Sequence, residues 1–265
     1  VSGRARPTRK RRADLSQHFL RAGRAARLTA ATSIEPSDFV IEIGAGRGAL
    51  TKPLAKRTHR LLAVELDPHL AHKLELDLGD AAKVHHGDFL KLALPREAYK
   101  VVGNLPYGIT TAVITRLVDA PVPPDDAWLV VQRELAHRLC GAPYASESLQ
   151  SLRLKPHWHL EVIDRLARTD FDPPPTVDSA FLWMSKRQRP LLAPRESRLY
   201  LRIVESAYRN GGSVRVALRA WLSKLQLRRL ARDLRFDIDG QPSSLSFEQW
   251  LGLFRFVNHS ARDRQ

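Results

Sequence analysis

Residues Val101-Val102-Gly103-Asn104-Leu105-Pro106-Tyr107-Gly108 hold the side chains best suited to chemistry. Two β-branched residues run into a polar residue, a proline and an aromatic ring, which reads as a buried strand ending abruptly in a turn. Asn104 brings an amide oxygen, Pro106 stiffens the turn and Tyr107 offers a flat face. That set suits a planar ring carrying an exocyclic amine. The amine of adenine is a poor nucleophile because its lone pair is delocalised into the ring. Acceptors that hold its N–H groups and draw the nitrogen towards tetrahedral geometry would activate it, and Asn104 Oδ1 and the Leu105 carbonyl are the candidates. Stacking on Tyr107 would add about 1–3 kcal/mol and is indifferent to base sequence. The same residues also make an ordinary β-turn capping a strand, so the choice rests on the rest of the chain.

The second informative stretch is Phe39-Val40-Ile41-Glu42-Ile43-Gly44-Ala45-Gly46-Arg47-Gly48. An apolar strand pattern meets three glycines at alternate positions, and Ala49-Leu50-Thr51 then opens a helix. Glycine permits the positive φ and close backbone approach that let a ligand sit above a strand end. The spacing differs from the Gly-x-Gly-x-x-Gly fingerprint, whose helix N-terminus receives a pyrophosphate. Here Glu42 precedes the first glycine, and a carboxylate so placed disfavours a phosphate and welcomes a cation such as a sulfonium or ammonium.

Two more strand ends carry acids. Leu61-Leu62-Ala63-Val64-Glu65-Leu66-Asp67 places Glu65 where an open α/β sheet reaches a ribose, while Asp67-Pro68 reads as a helix N-cap. In Val84-His85-His86-Gly87-Asp88-Phe89, Asp88 can accept from an adenine amine and Phe89 can pack on the ring. His85 and His86 point to opposite faces of a strand, so no metal site is expected of them.

The positioning elements follow. Lys100 to Asn104, Ala127 to Val131, Leu160 to Leu166 and Ala180 to Met184 read as further strands, the last two as a terminal antiparallel pair. Alternating strand and helix patterns imply an α/β, mostly parallel sheet with helices on both faces, which brings the residues at successive strand ends to one edge. The stretch Asp170 to Ser179 contains three prolines that hold it extended, so Phe171 is expected on a stiff loop. Facing Tyr107, it would complete an aromatic clamp for a flipped base; the alternative is a hydrophobic plug. Ser16 to Leu20 is a short apolar patch leading into a helix-like run from Arg24 to Ala31. A change in proline and charge content at Lys186 marks a boundary, beyond which residues 198–232 and Ser246 to Val257 have helical spacing.

The 265 residues suffice for one α/β domain with a smaller appendage. A single cysteine, Cys140, excludes a disulfide framework and a Cys-built zinc site and fits a reducing cytoplasm. No run of about 18 uncharged apolar residues is present, so no membrane span is expected. Residues 1–30 carry nine Lys and Arg against one acid, and residues 186–235 carry fourteen against three. The net charge of +15 therefore sits at the two ends around a slightly acidic middle, the footprint of a polyanion ligand. The organisation expected is a disordered basic tail over 1–14, a catalytic domain over 15–186 and a helical domain over 187–265.

Taken in order, Gln17-His18-Phe19-Leu20, Glu42 to Gly48, Glu65-Leu66-Asp67, Gly87-Asp88-Phe89, Asn104-Leu105-Pro106-Tyr107 and Phe171 to Ser179 resemble the rRNA adenine N6-methyltransferases. Within that group the chain looks most like the Erm enzymes, which methylate 23S rRNA and confer macrolide–lincosamide–streptogramin B resistance. The resemblance implies a class I, Rossmann-like fold with S-adenosylmethionine as cofactor and a small C-terminal α-helical domain that binds RNA. It implies that His18 and Leu20 contact the cofactor, that Gly44 abuts its methionine end, and that Glu65 binds the ribose and Asp88 the adenine. Asn104 would touch both cofactor and target, with Tyr107 and Phe171 stacking on the base. The family usually has asparagine where this chain has His18; a histidine still donates a hydrogen bond and makes the contact pH-sensitive. A cytoplasmic monomer acting on 23S rRNA before or during subunit assembly is implied.

The small-subunit rRNA adenine dimethyltransferases of ribosome assembly share the motifs of the catalytic half. Trp158 in Leu154-Lys155-Pro156-His157-Trp158-His159, the segment Leu245 to Trp250 and the basic N-terminal tail favour the Erm branch, whereas Gly211-Gly212-Ser213 is unfamiliar there. A non-catalytic RNA-binding factor on the same fold would be expected to lose Asn104 and Tyr107, and both are present. A DNA adenine methyltransferase fits the flanking motifs less well.

Overall fold

The computed structural model describes residues 18–262, so Gln17 and the basic tail over 1–14 lie outside the described residues. Among the described residues nine strands run in chain order as β1 (Phe19–Leu20), β2 (Phe39–Ile43), β3 (Arg60–Glu65), β4 (Lys83–His86), β5 (Lys100–Asn104), β6 (Asp126–Gln132), β7 (Trp158–Leu166), β8 (Phe171–Asp172) and β9 (Ser179–Lys186). Seven of them form one sheet in the order β4-β3-β2-β5-β6-β9-β7, and β1 pairs with β8 in a separate ribbon. Pairs β2–β3, β3–β4, β2–β5 and β5–β6 are parallel, and β9 runs antiparallel to β6. The helices are α1 (Ala22–Ala30), α2 (Thr51–Leu54), α3 (Pro68–Leu78), α4 (Thr110–Val118), α5 (Arg133–Cys140), α6 (Leu149–Leu154), α7 (Pro194–Asn210), α8 (Val214–Ala217), α9 (Lys224–Leu234) and α10 (Phe247–Arg262).

The central strands are apolar without alternation because they are covered on both faces. Val40, Ile41 and Ile43 of β2 are buried, as are Val101 and Val102 of β5 and five consecutive residues of β6. That is the pattern of an interior parallel strand. From β2 the chain winds outward through β3 and β4, then returns to β5 on the other side. The order therefore reverses between β2 and β5, and in open α/β sheets the crevice at such a reversal, beyond the carboxyl ends, receives ligands.

The described residues divide into two compact units, one built from 18–136 with 161–186, the other from 137–160 with 187–262. The first holds the Rossmann-like sheet as far as the part of β7 from Glu161. The second is helical, and its core gathers Tyr200, Ile203 and Val204 of α7 with Trp250 and Phe254 of α10. Segment 137–160, which a single cut at 186 leaves with the sheet, falls in the helical unit. Its Glu147 ties it there, accepting from Tyr208 Oη at its carbonyl (2.8 Å) and donating its N–H to the Ser243 carbonyl (3.1 Å). Among the described residues no helix is long and apolar enough to cross a membrane.

Candidate functional site

An open cleft lies beyond the carboxyl ends of β2, β3 and β5 in the sheet unit. It is lined by His18, Leu20, Gly44, Glu65, Asp88, Asn104, Tyr107 and Phe171, so the eight residues singled out from the sequence come together at one place.

The loop after β2 forms one wall. Gly44 has φ +72° and donates its N–H to the Val64 carbonyl at 2.9 Å, turning the chain away just as β2 ends. Gly46 has φ +57°, and a Cβ there would stand 3.0 Å from the Phe19 ring. A side chain at either position would be strained by the backbone conformation, and at Gly46 by the ring as well. Phe19 carries the Arg47 guanidinium 4.3 Å from its centroid.

The acids of the neighbouring strands are positioned by backbone donors. Glu65 Oε2 accepts from Gly46 N at 2.6 Å and Oε1 from Asp67 N at 2.8 Å, which holds the carboxylate at the mouth while each oxygen keeps a free lone pair. Asp67 caps α3 through His69 N and Leu70 N, with Pro68 in the first turn, as its type and place require. Asp88 caps a short 3₁₀ turn with Oδ1, 2.9 Å from Leu90 N, leaving Oδ2 for a ligand. Glu42 is 1% exposed, its Oε2 is buried without a hydrogen-bond partner, and it too lines the cleft. Burial, with a smaller push from the Glu65 charge and only partial relief from the nearby Thr51 hydroxyl, raises its carboxyl to about 8.

The facing wall comes from the end of β5. Asn104 donates from Nδ2 to the His18 carbonyl at 2.7 Å. A carbonyl only accepts, so this bond sets the amide orientation and leaves Oδ1 as the acceptor. Tyr107 begins a 3₁₀ turn, half-buried, with its hydroxyl 2.9 Å from Ser179 Oγ. Burial above all raises its phenol, so it stays neutral at physiological pH. The His18 ring lies 6.0 Å from the Tyr107 ring at 32°, and its Nδ1 donates to the Pro173 carbonyl at 3.0 Å.

Phe171 differs from the sequence expectation. It is 1% exposed, sits on β8 opposite Leu20 of β1 and belongs to the sheet unit's core with Leu28 and Trp128. Its apolar surface is more favourably placed in that core than on a loop facing water, so it forms part of the cleft wall, and the ring opposed to Tyr107 here is His18. Phe19 and Ser179 are contributors that sequence reasoning did not single out; a two-residue strand has no periodicity to reveal it. Among the described residues no group of three or more His, Cys, Asp or Glu stands close enough to hold a metal ion.

A chain built this way has relatives. The model of the family described as ribosomal RNA adenine dimethylase matches residues 8–258. An rRNA adenine N-6-methyltransferase of Streptomyces fradiae is 35% identical over 250 residues, spanning 92% of this chain and 78% of that protein. A ribosomal RNA small subunit methyltransferase A of Cupriavidus metallidurans is 37% identical over 163 residues, 59% of each chain. Among solved structures, that of the 23S rRNA methyltransferase ErmE is 30% identical with a TM-score of 0.85, covering 91% of this chain and 99% of that one.

Proposed function

The chain belongs to the ribosomal RNA adenine dimethylase family, and on that footing we propose that it methylates N6 of one adenine in 23S rRNA with S-adenosylmethionine as donor. The observation that carries the reading is the Asn104 amide, turned by the His18 carbonyl so that its oxygen is the free acceptor in a cleft shared with Glu65 and Asp88. The residues present fit the donor. Glu65 offers two lone pairs to a ribose diol, Asp88 Oδ2 suits an adenine amine, and the unpartnered Glu42 suits a cation. When bound, S-adenosylmethionine supplies a methyl group on a sulfonium leaving group, which already carries the driving force for transfer to an amine.

What the protein adds is orientation. Asn104 Oδ1 and the Leu105 carbonyl hold the two N–H groups of the target amine, Tyr107 stacks on its ring, and Ser179 and Asn104's own bond to His18 fix those side chains beforehand. His18 and Leu20 close the cofactor side, and Gly44 leaves room for the methionine end. Phe171 backs Leu20 from the core.

The large-subunit target is supported by extent of similarity. The likeness to the S. fradiae enzyme runs through the helical part, whereas the small-subunit likeness spans 59% of the chain. The Erm resemblance brings with it macrolide–lincosamide–streptogramin B resistance through the peptidyl-transferase loop. In the helical unit Arg195, Arg198 and Arg202 of α7 and Lys224, Arg228 and Arg229 of α9 are exposed, a phosphate-binding surface in keeping with an RNA substrate. Tritiated S-adenosylmethionine offered with protein-free 23S rRNA, assembled 50S subunits, 30S subunits and duplex DNA tests the proposal. Label on one adenine of free 23S rRNA is expected; label confined to 30S subunits would make this an assembly enzyme, and label on none would make it a binding factor.

A further inference from the structure

Glu42 occupies an unusual position for a carboxylate. It lies on β2 between Ala63 of β3 and Val102 of β5, neither of which can offer a hydrogen bond from its side chain. No ion pair among the described residues holds it, and Oε2 has no partner. Thr51 Oγ1 of α2 is close enough to be felt but is itself unbonded, and Lys52 beside it is turned to Asp77 at 3.2 Å.

The other charged or titratable groups around the cleft do not supply a counter-ion. Glu65, the last residue of β3, and Asp88, beyond β4, are acids. Tyr107, beyond β5, is a neutral phenol bonded to Ser179. His18, just before β1, directs its Nδ1 to Pro173. Arg47, in the loop after β2, is 61% exposed and engaged with the Phe19 ring and, at 3.8 Å, with Asp172. A carboxyl this deeply buried with no cation holds its proton, because desolvation penalises the charged form. Glu65, at the end of the neighbouring strand in the same cleft, takes two backbone N–H bonds, whereas Glu42 Oε2 takes none, so the two acids have divergent environments.

We propose that Glu42 is a proton-linked positioning residue: neutral in the empty cleft, it gives up its proton to solvent when a sulfonium ligand enters and becomes that ligand's buried counter-ion. This rests on the cofactor reading above. It makes the cleft discriminate by ligand charge. S-adenosylhomocysteine has the same ribose, adenine and ammonium but a neutral thioether in place of the sulfonium, so it brings no sulfonium charge for Glu42 to answer and is held without that ion pair. Spent ligand is then favoured to leave at the moment its charge is lost. The sign follows from linkage: because binding releases a proton, affinity for S-adenosylmethionine rises with pH up to the point near 8 where the empty enzyme already loses it.

Titration calorimetry of the full chain at pH 7, in buffers of unlike ionisation enthalpy, reads the proton count directly. The ligand's own ammonium titrates in both proteins, so the difference between wild type and Glu42→Gln isolates this residue. Wild type is expected to release up to about one proton more than Glu42→Gln on S-adenosylmethionine, and no more than it on S-adenosylhomocysteine. Its affinity relative to the variant should climb by up to about tenfold per pH unit below 8. Equal proton counts with binding intact overturn the role of Glu42 and leave the cofactor reading standing; absence of S-adenosylmethionine binding by wild type overturns both. Should Glu42→Gln fail to fold, infrared difference spectra of wild type decide. Loss of a protonated-carboxyl C=O band on S-adenosylmethionine but not on S-adenosylhomocysteine supports the proposal, and no such loss overturns it.

Discussion

Glu42 in the sheet unit and Glu147 in the helical unit are buried to almost the same degree, at 1% and 3% exposure, in opposite surroundings. Glu147 Oε1 meets the Lys155 ammonium and Oε2 accepts from Ser151 Oγ at 2.6 Å. A Cβ at Gly141, which has φ +63°, would collide with the carboxylate, so the backbone is shaped around it. Glu42 has a free oxygen and an open cleft. A buried acid with both oxygens bonded and a cation beside it is part of the framework; one with an oxygen left unmatched beside a cavity is waiting for a ligand. The same contrast holds more broadly. In the sheet unit polar groups converge on the cleft, whereas in the helical unit Glu147 is tied to its neighbours inside and arginines stand outside. On the proposed function, chemistry belongs to the first and polyanion affinity to the second.

The largest effect that would break this division is at Asn104. Asn104→Ala should lower turnover by about 10²-fold or more, the scale for losing one transition-state partner, while S-adenosylmethionine affinity falls much less and circular dichroism stays near wild type. Full activity in that variant sinks the acceptor role. In the other unit, Lys155→Met leaves Glu147 buried and unpaired and should cost about 3–5 kcal/mol of stability in urea unfolding, with cofactor affinity of the folded protein unchanged. A change in cofactor affinity without loss of stability would show that the contrast between the two glutamates is misdrawn.

Tyr107→Ala should weaken RNA substrate binding by about 1–3 kcal/mol through lost stacking, and Tyr107→Phe by only about 0.5–1.5 kcal/mol through the lost bond to Ser179. Equal losses would mean that the hydroxyl and not the ring face matters. The mildest test pairs Arg228→Ala with Arg229→Ala. It should reduce the slope of log RNA affinity against log salt by about one for each phosphate contact removed and leave S-adenosylmethionine binding alone. An unchanged slope would place the RNA footprint elsewhere.

The strand ends were legible because β3 and β5 close in apolar runs stopped by one functional residue, Glu65 after Val64 and Asn104 after Gly103, while Asp88 stands just past the edge strand β4. Parallel order followed from alternation with helical patterns, and Asp67-Pro68 announced a cap that α3 uses. Phe171 was harder to place. Its prolines say that the segment is extended, but not that Phe171 pairs with Leu20 and turns its ring into the core, since the partner strand is two residues long. The allegiance of residues 137–160 was likewise hidden, because it rests on bonds from Glu147 to residues 61 and 96 positions away along the chain. The environment of Glu42 is a third case: its type and place suggest affinity for a cation, whereas its neutral state depends on which residues surround it in space.

The account's central claim is that the cleft presents an adenine amine to a methyl donor. The most direct test is to treat protein-free 23S rRNA with the enzyme and methyl-labelled S-adenosylmethionine, digest it to nucleosides and identify the labelled product by mass spectrometry. The account predicts label in N6-methylated adenosine, and its loss with Asn104→Ala. Label on a pyrimidine, on another position of adenine, or equally with Asn104→Ala would contradict it.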